Sequence, residues 1–242
     1  MNAAVPVNEC TLRIGHQHLL FDPALWPDVS ADQLTVEHWR TQGAHAAAAG
    51  RGNAWFLNRP DGEHWVLRHY QRGGLIRKLS PDRYIWLGAA RSRAWREFRL
   101  LQALTAAGLP VPRPVAAGVT VAALRYRQVL VTQRIADAVP LSARLAEAAL
   151  DAGEWRTLGR VLAQFRDAGV GHADLNAANI LWRAPDRFFL IDFDRGRQPA
   201  SAAFQSRSIR RLRHSLDKFC RRQPGFHFSE ADWQALLQGY GP

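Results

Sequence analysis

His172-Ala-Asp-Leu-Asn-Ala-Ala-Asn179, followed after a short turn by Phe188-Phe-Leu-Ile-Asp192-Phe193-Asp194, is the stretch on which the reading of this chain turns. An Asp and an Asn five residues apart fit on one rigid loop, Asp174 facing an attacking hydroxyl and Asn179 facing a metal ion. Asp192, at the end of the following hairpin strand, supplies the other metal ligand. Phosphoryl transfer asks little covalent chemistry of a protein. It asks that the γ-phosphate, a divalent cation and the acceptor oxygen be held in line. Taken singly these residues have ordinary readings, Asp174 and Asn176 capping a turn and Asp192 ending a strand. Taken jointly they read as the centre of a phosphotransferase. Asp174 orients the acceptor hydroxyl and accepts its proton, while Asn179 and Asp192 hold Mg²⁺ through oxygen.

Upstream of this stretch the pattern is mostly strand. Asn53–Asn58 and Trp65–Tyr70 flank the turn signal Arg59-Pro-Asp-Gly62, and Val115–Val121 and Arg127–Gln133 read as two further strands. Residues 92–107 form the clearest helix, with Trp95, Phe98, Leu101 and Leu104 on one face and Gly108 ending it. Residues 1–40 read as irregular, with a short helix through Trp39 capped by Ser30 or Asp32. Gln71–Gly88 is basic and reads as a long functional loop. Downstream the pattern turns helical, over roughly 141–150, 154–168, 201–221 and 229–238, around the hairpin Ile180–Trp182 and Phe188–Asp192. The expected fold is α+β and two-lobed, protein-kinase-like: a mostly β N-lobe with an N-terminal extension over 1–134, and a mostly helical catalytic C-lobe over 135–242. A nucleotide cleft is expected between the lobes.

Five elements come in the order such a fold requires. Gly50-Arg-Gly52 allows backbone N–H groups to approach phosphate, although a Gly pair before a strand is usually only a turn. Arg68 stands on the next strand where a protein kinase carries its phosphate-binding Lys; its planar fork can donate to phosphate oxygens and pair with a carboxylate. Glu97, on the 92–107 helix, is the expected partner of Arg68, against the plainer reading of a solvated pair with Arg93. The Asp174–Asn179 loop and Asp192 complete the series. His172 is expected to brace the loop by hydrogen bonding. Asp194 stands where protein kinases have Gly, lining the site or pairing with Arg195 or Arg197.

Composition narrows the partners. The chain has 242 residues, 47% hydrophobic and 22% charged, with a formal net charge of +11 and a pI near 11.0. That balance fits an acidic partner: nucleotide, anionic lipid, phosphorylated sugar or nucleic acid. Lys78 and Lys218 are the only lysines; the rest of the 32 basic residues are arginines. Cys10 and Cys220 form no metal-type spacing or disulfide framework, as in a reduced cytoplasmic protein. No signal-peptide pattern is present, and no apolar run approaches the roughly 18 residues that span a bilayer, so membrane contact is expected to be peripheral. The last long helix carries Ile209, Leu212, Leu216 and Phe219 on one stripe, surrounded by Arg207, Arg210, Arg211, Arg213, Lys218, Arg221 and Arg222. Such a helix packs a lobe with a solvated basic face, or lies on anionic lipid. No aromatic-rich RNA-binding signature accompanies the charge, and no nucleic-acid partner is expected.

These residues resemble a known family. Gly50-Arg-Gly-Asn-Ala-Trp-Phe, Trp65-Val-Leu-Arg-His-Tyr with the following Arg72-Gly-Gly-Leu-Ile, Arg96-Glu-Phe-Arg-Leu-Leu, His172-Ala-Asp-Leu-Asn-Ala-Ala-Asn-Ile-Leu and Leu190-Ile-Asp-Phe-Asp-Arg-Gly196 are similar to 3-deoxy-D-manno-octulosonic acid (Kdo) kinases of Gram-negative bacteria, over about residues 50–200. Arg68 in the Lys position and the Asp-Phe-Asp-Arg-Gly ending both match that family. The resemblance implies an ATP- and Mg²⁺-dependent enzyme that phosphorylates the 4-hydroxyl of a Kdo residue on a lipid A precursor. It implies lipopolysaccharide core biosynthesis, peripheral at the cytoplasmic face of the inner membrane. Two rivals share much of the pattern: a lipopolysaccharide heptose kinase or antibiotic phosphotransferase, and a non-catalytic pseudokinase that binds membrane or nucleic acid through its basic face.

Overall fold

The computed structural model describes residues 9–30, 32–41, 43–46, 54–70, 84–85, 88–123 and 125–241. Gly50, Gly52 and the basic segment 71–83 lie outside the described residues. The fold is α+β, with an antiparallel sheet in the N-terminal region and helices toward the C-terminus. It divides into two compact units, Met1–Ala107 with Pro112–Ala136, and Gly108–Val111 with Asp137–Pro242.

The first unit is built on a sheet ordered β1-β2-β7-β8-β5-β4-β3, with β6 beside β8. Its strands are β1 (Cys10–Ile14), β2 (Gln17–Phe21), β3 (His45–Ala46), β4 (Ala54–Asn58), β5 (His64–His69), β6 (Tyr84–Ile85), β7 (Pro114–Ala122) and β8 (Arg125–Gln133). Strand β7 is buried at every position from Pro114 to Val119, because both its faces are covered. On one face lies a core of Trp26, Leu34 and Trp39 against Leu19, Trp65, Leu67, Val115 and Val131. The other face carries helix α2 (Arg93–Ala106), which packs on β7 and β8. Alternation along β5 therefore decides the site: Trp65 and Leu67 enter the tryptophan core, while Arg68 and Tyr70 share the opposite face.

The N-terminal residues differ from the irregular segment expected of them. Cys10–Ile14 and Gln17–Phe21 form a hairpin closed by Gly15-His16, and β2 joins the sheet beside β7. β1 is exposed throughout and so lacks the alternation that announces a strand. The short helix through Trp39 exists as α1 (Val36–Arg40), but Thr35 caps it, its hydroxyl accepting from His38 N–H at 3.4 Å. Asp32 instead opens a 3-10 turn, Asp32–Leu34.

In the second unit, helices α3 (Leu141–Glu147), α4 (Ala152–Asp167), α5 (Ala202–Arg222) and α6 (Glu230–Tyr240) accompany a small sheet, β11-β10-β9 (β9 Val139–Pro140, β10 Ile180–Arg183, β11 Arg187–Leu190). Asp151 and Glu154 cap α4 reciprocally, and Glu154 also accepts from Trp182 Nε1 at 2.9 Å, tying the helix start to β10. α4 and α6 cross on two glycines. A Cβ at Gly159 would stand 2.1 Å from the Leu236 carbonyl oxygen, and one at Gly239 would stand 2.0 Å from that of Arg156. Among the described residues no helix is long and apolar enough to cross a membrane.

Candidate active site

In the first unit Ser92 and Gln128 fix the start of α2. Ser92 Oγ accepts from Trp95 N–H at 3.3 Å, and Gln128 Oε1, on β8, accepts from Ala94 N–H at 3.0 Å. One turn on, Glu97 is buried, its side chain 2% exposed. Arg68 Nη2 donates to Glu97 Oε1 at 2.6 Å, and the Tyr70 hydroxyl donates to Oε2. Arg68 Nη2 also reaches the Tyr70 oxygen at 3.2 Å, and its guanidinium lies over the Tyr70 ring. A carboxylate taken out of water costs several kcal/mol unless paired and hydrogen-bonded; here each oxygen has a partner. Glu97 thus pairs with Arg68, the arrangement that brings a cation to the α2 face of the sheet. The plainer reading of Glu97 as a solvated residue does not fit its burial.

In the second unit the Asp174 loop is closed by its own side chains. The Asp174 carbonyl accepts from Asn176 Nδ2 and from Asn179 Nδ2, both at 2.9 Å. Asn176 Oδ1 accepts from Ala178 N–H at 2.9 Å and Asn179 N–H at 3.2 Å. Asn176 is therefore the turn-capping residue, and the Asp174 carboxylate is left to point elsewhere. Ala177 is pinned from two sides, donating to Ser215 Oγ at 3.3 Å and accepting from Ser142 N–H at 3.0 Å.

His172 ties this loop to Asp192. Its Nδ1 accepts from Asp174 N–H at 3.1 Å, so Nε2 carries the proton and donates to the Ile191 carbonyl at 2.9 Å. Ile191 N–H in turn donates to the Asn179 carbonyl at 3.0 Å. The ring lies against Phe193, which stacks on Phe165. Burial holds the His172 pKa below its ordinary value, against the opposing pull of the Ile191 carbonyl, Asp192 and Asp174. With both nitrogens engaged and the charged form disfavoured, His172 braces the loop and is not a proton shuttle. Asp174, Asn179 and Asp192 are thereby carried by one hydrogen-bonded assembly.

Asp192 does not end a strand, as the sequence suggests. β11 stops at Leu190, and Asp192 sits at φ 63°, the left-handed region. A non-glycine residue there is uncommon, and such strain collects at functional sites. Asp194 follows within the turn closed by Gly196 N–H on the Phe193 carbonyl at 2.7 Å.

The donor chemistry fits Mg²⁺. Asn179 turns its NH₂ to a carbonyl, and its oxygen accepts no hydrogen bond among the described residues. Asn179 and Asp192 together offer one amide oxygen and one carboxylate. Among the described residues no group of three His, Cys, Asp or Glu gathers to hold a metal. Such a sparse set suits a cation that keeps much of its shell for water and phosphate oxygens.

The profile of the lipopolysaccharide kinase (Kdo/WaaP) family matches residues 36–240, a span that holds Arg68, Glu97, Asp174, Asn179 and Asp192. The chain belongs to that family. It is 42% identical over 227 residues to a 3-deoxy-D-manno-octulosonic acid kinase of Stenotrophomonas maltophilia (strain R551-3), covering 92% of this chain and 88% of the relative. A protein of the same name from Xanthomonas axonopodis pv. citri (strain 306) is 42% identical over 206 residues, 84% of this chain and 82% of the relative. One from Actinobacillus succinogenes is 37% identical over 239 residues, 95% and 98% of the two chains. The family's match reaches further than the resemblance read from motifs, taking in α1 and the helices α5 and α6. As a member of a kinase family the chain is a phosphotransferase, and the family implies ATP as co-substrate.

Two contacts at these residues escape a motif reading. Tyr70 is legible in principle, two positions beyond Arg68 on one strand face. Arg211, on α5, donates from Nη2 to Asp174 Oδ1 at 3.2 Å. Nothing local in the sequence signals that pair, since 36 residues separate its members.

Proposed function

We propose that this protein phosphorylates the 4-hydroxyl of a Kdo residue on a lipid A precursor, with Mg²⁺-ATP as donor, in lipopolysaccharide core biosynthesis. The observation that carries the reading is the His172-braced assembly of Asp174, Asn179 and Asp192 in a chain whose relatives bear the Kdo kinase name.

Asp174 receives the acceptor hydroxyl. Its carboxylate side chain is 60% exposed, so a sugar oxygen can reach it, and the loop beneath is fixed by Asn176, Asn179 and His172. It orients the hydroxyl and takes its proton late in the transfer. Asn179 and Asp192 hold Mg²⁺, which when bound offsets the negative charge of the phosphate oxygens. Arg68 donates to the nucleotide phosphates, while Glu97 and Tyr70 fix its fork and balance its charge. Gly50 and Gly52 are assigned to the phosphates on sequence position alone. The exposed cations of α5 (Arg207, Arg210, Lys218, Arg221 and Arg222) suit an anionic membrane surface, and the acceptor is approached from the cytoplasmic face of the inner membrane.

Transfer of label from γ-labelled ATP tests this against its rivals. With Kdo–lipid A precursor, heptose-containing core and an aminoglycoside offered separately, label enters the Kdo glycolipid and stops when Mg²⁺ is chelated. Label entering only the heptose core or the aminoglycoside overturns the acceptor assignment. ATP left intact with every acceptor overturns the enzymatic reading.

A further inference from the structure

We propose that Arg211 selects an acidic acceptor, its guanidinium binding the carboxylate of the sugar whose hydroxyl is presented to Asp174. The proposal rests on the acceptor reading above and names a specificity-determining residue within it.

The Arg211–Asp174 pair is a poor stabilising contact. Its single hydrogen bond is 3.2 Å long, and the two side chains are 57% and 60% exposed. Exposed pairs of this kind contribute about 0–1 kcal/mol. The root of Arg211, by contrast, is firmly set. One turn before it Ser208 Oγ donates to the His172 carbonyl at 2.8 Å, and four residues after it Ser215 Oγ accepts from Ala177 N–H. Leu212 and Leu216, between and beside these bonds, are fully buried. α5 is thus stitched to the loop that carries Asp174 on both sides of Arg211. A cation fixed at its root and wet at its tip, beside the carboxylate that meets the acceptor, is arranged for a ligand.

Guanidinium has five N–H donors in a planar fork. The bond to Asp174 is the only hydrogen bond Arg211 donates among the described residues. The remaining donors face solvent next to the position of the acceptor hydroxyl, where they can take a second carboxylate bidentately. An ulosonic acid carries its carboxylate on the same ring as its hydroxyls, so both groups fall within reach of the Arg211–Asp174 pair. As the hydroxyl takes Asp174, the acceptor carboxylate replaces it on Arg211 and no charge is left unpaired. An acceptor bearing amines meets a cation there and is repelled.

The test compares wild type, Arg211→Gln and Arg211→Lys on Kdo–lipid A precursor and on the same glycolipid with its Kdo carboxylates converted to carboxamides. Wild type is expected to prefer the acid by about tenfold to a hundredfold in kcat/KM, the range of a hydrogen bond to a charged group. Arg211→Gln should raise the KM of the acidic acceptor by a similar factor, leave the KM of ATP unchanged and treat acid and carboxamide alike. Arg211→Lys should recover part of the preference, a return that a merely structural role would not give. Retention of the full preference for the acid by Arg211→Gln overturns the proposal, as does a fall in kcat with the acceptor KM unchanged. Wild type idle on both glycolipids instead overturns the acceptor reading, and this proposal with it.

Discussion

Asn179 donates its side-chain amide to the main-chain carbonyl of Asp174 at 2.9 Å, so one bond both closes the loop and fixes which atom of Asn179 remains for a ligand. The remaining atom is an oxygen, as a hard cation requires. Asn179→Ala removes that oxygen and loosens the loop under Asp174. The expected result is a fall in kcat of about a hundredfold, the scale of a small misplacement of reacting groups. A higher Mg²⁺ concentration for half-maximal rate should accompany it. A Mg²⁺ titration of the variant checks this; an unchanged midpoint removes Asn179 from the metal.

Glu97 serves Arg68 and Tyr70 with separate oxygens, and the two partners can be tested apart. Tyr70→Phe leaves a buried carboxylate one donor short and should destabilise the protein by about 1–3 kcal/mol. Glu97→Gln keeps the shape but removes the charge that balances Arg68. It should raise the KM of ATP more than Tyr70→Phe does. Denaturant melts and ATP saturation curves of the two variants would separate packing from nucleotide binding.

Gly159 offers a test in which two effects have opposite sign. Gly→Ala inside a helix ordinarily stabilises by about 1 kcal/mol. At Gly159 the added Cβ would stand 2.1 Å from the Leu236 carbonyl oxygen, a backbone atom that cannot swing aside. Overpacking wins, so Gly159→Ala should destabilise by roughly 2 kcal/mol and lower Tm by about 4–8 °C. A variant as stable as wild type would show that α4 and α6 can separate without cost.

His172 predicts a pH dependence with a definite sign. Burial lowers its pKa in the folded protein, so below the ordinary value of about 6.5 the unfolded chain binds the extra proton more readily. This contribution to stability is full above that pH and is lost as pH falls through and below it. His172→Gln keeps a donor for the Ile191 carbonyl but has no proton to gain. The stability gap between wild type and variant should therefore shrink on acidification from pH 7 to 5.5, which denaturant titrations at several pH values would measure.

Much of the site was legible in the sequence because its parts are local. Asp174, Asn176 and Asn179 carry their own turn chemistry, and the Trp95, Phe98, Leu101 and Leu104 periodicity announces α2. Placing Arg68 against Glu97 needed only a strand and a helix in the right order. What stayed hidden depends on tertiary packing. β1 is exposed at every position and carries no in-and-out pattern, so the first hairpin read as irregular although Gly15-His16 marks its turn. The left-handed turn at Asp192 follows from bonds that hold Ile191 on both sides. The basic stripe of α5 showed its charge in the sequence but not its direction. That Arg211 meets Asp174 is decided by Ser208 and Ser215, whose partners lie in another element.

The central claim is that the Asp174 assembly moves one phosphate onto a Kdo hydroxyl, and mass spectrometry of Kdo–lipid A precursor after incubation with Mg²⁺-ATP tests it most directly. Wild type should add the mass of a single phosphate, located by fragmentation on Kdo at its 4-hydroxyl. Asp174→Ala should add none while still binding ATP. An unmodified glycolipid with wild type, a phosphate elsewhere than on Kdo, or near-normal product with Asp174→Ala would contradict the account.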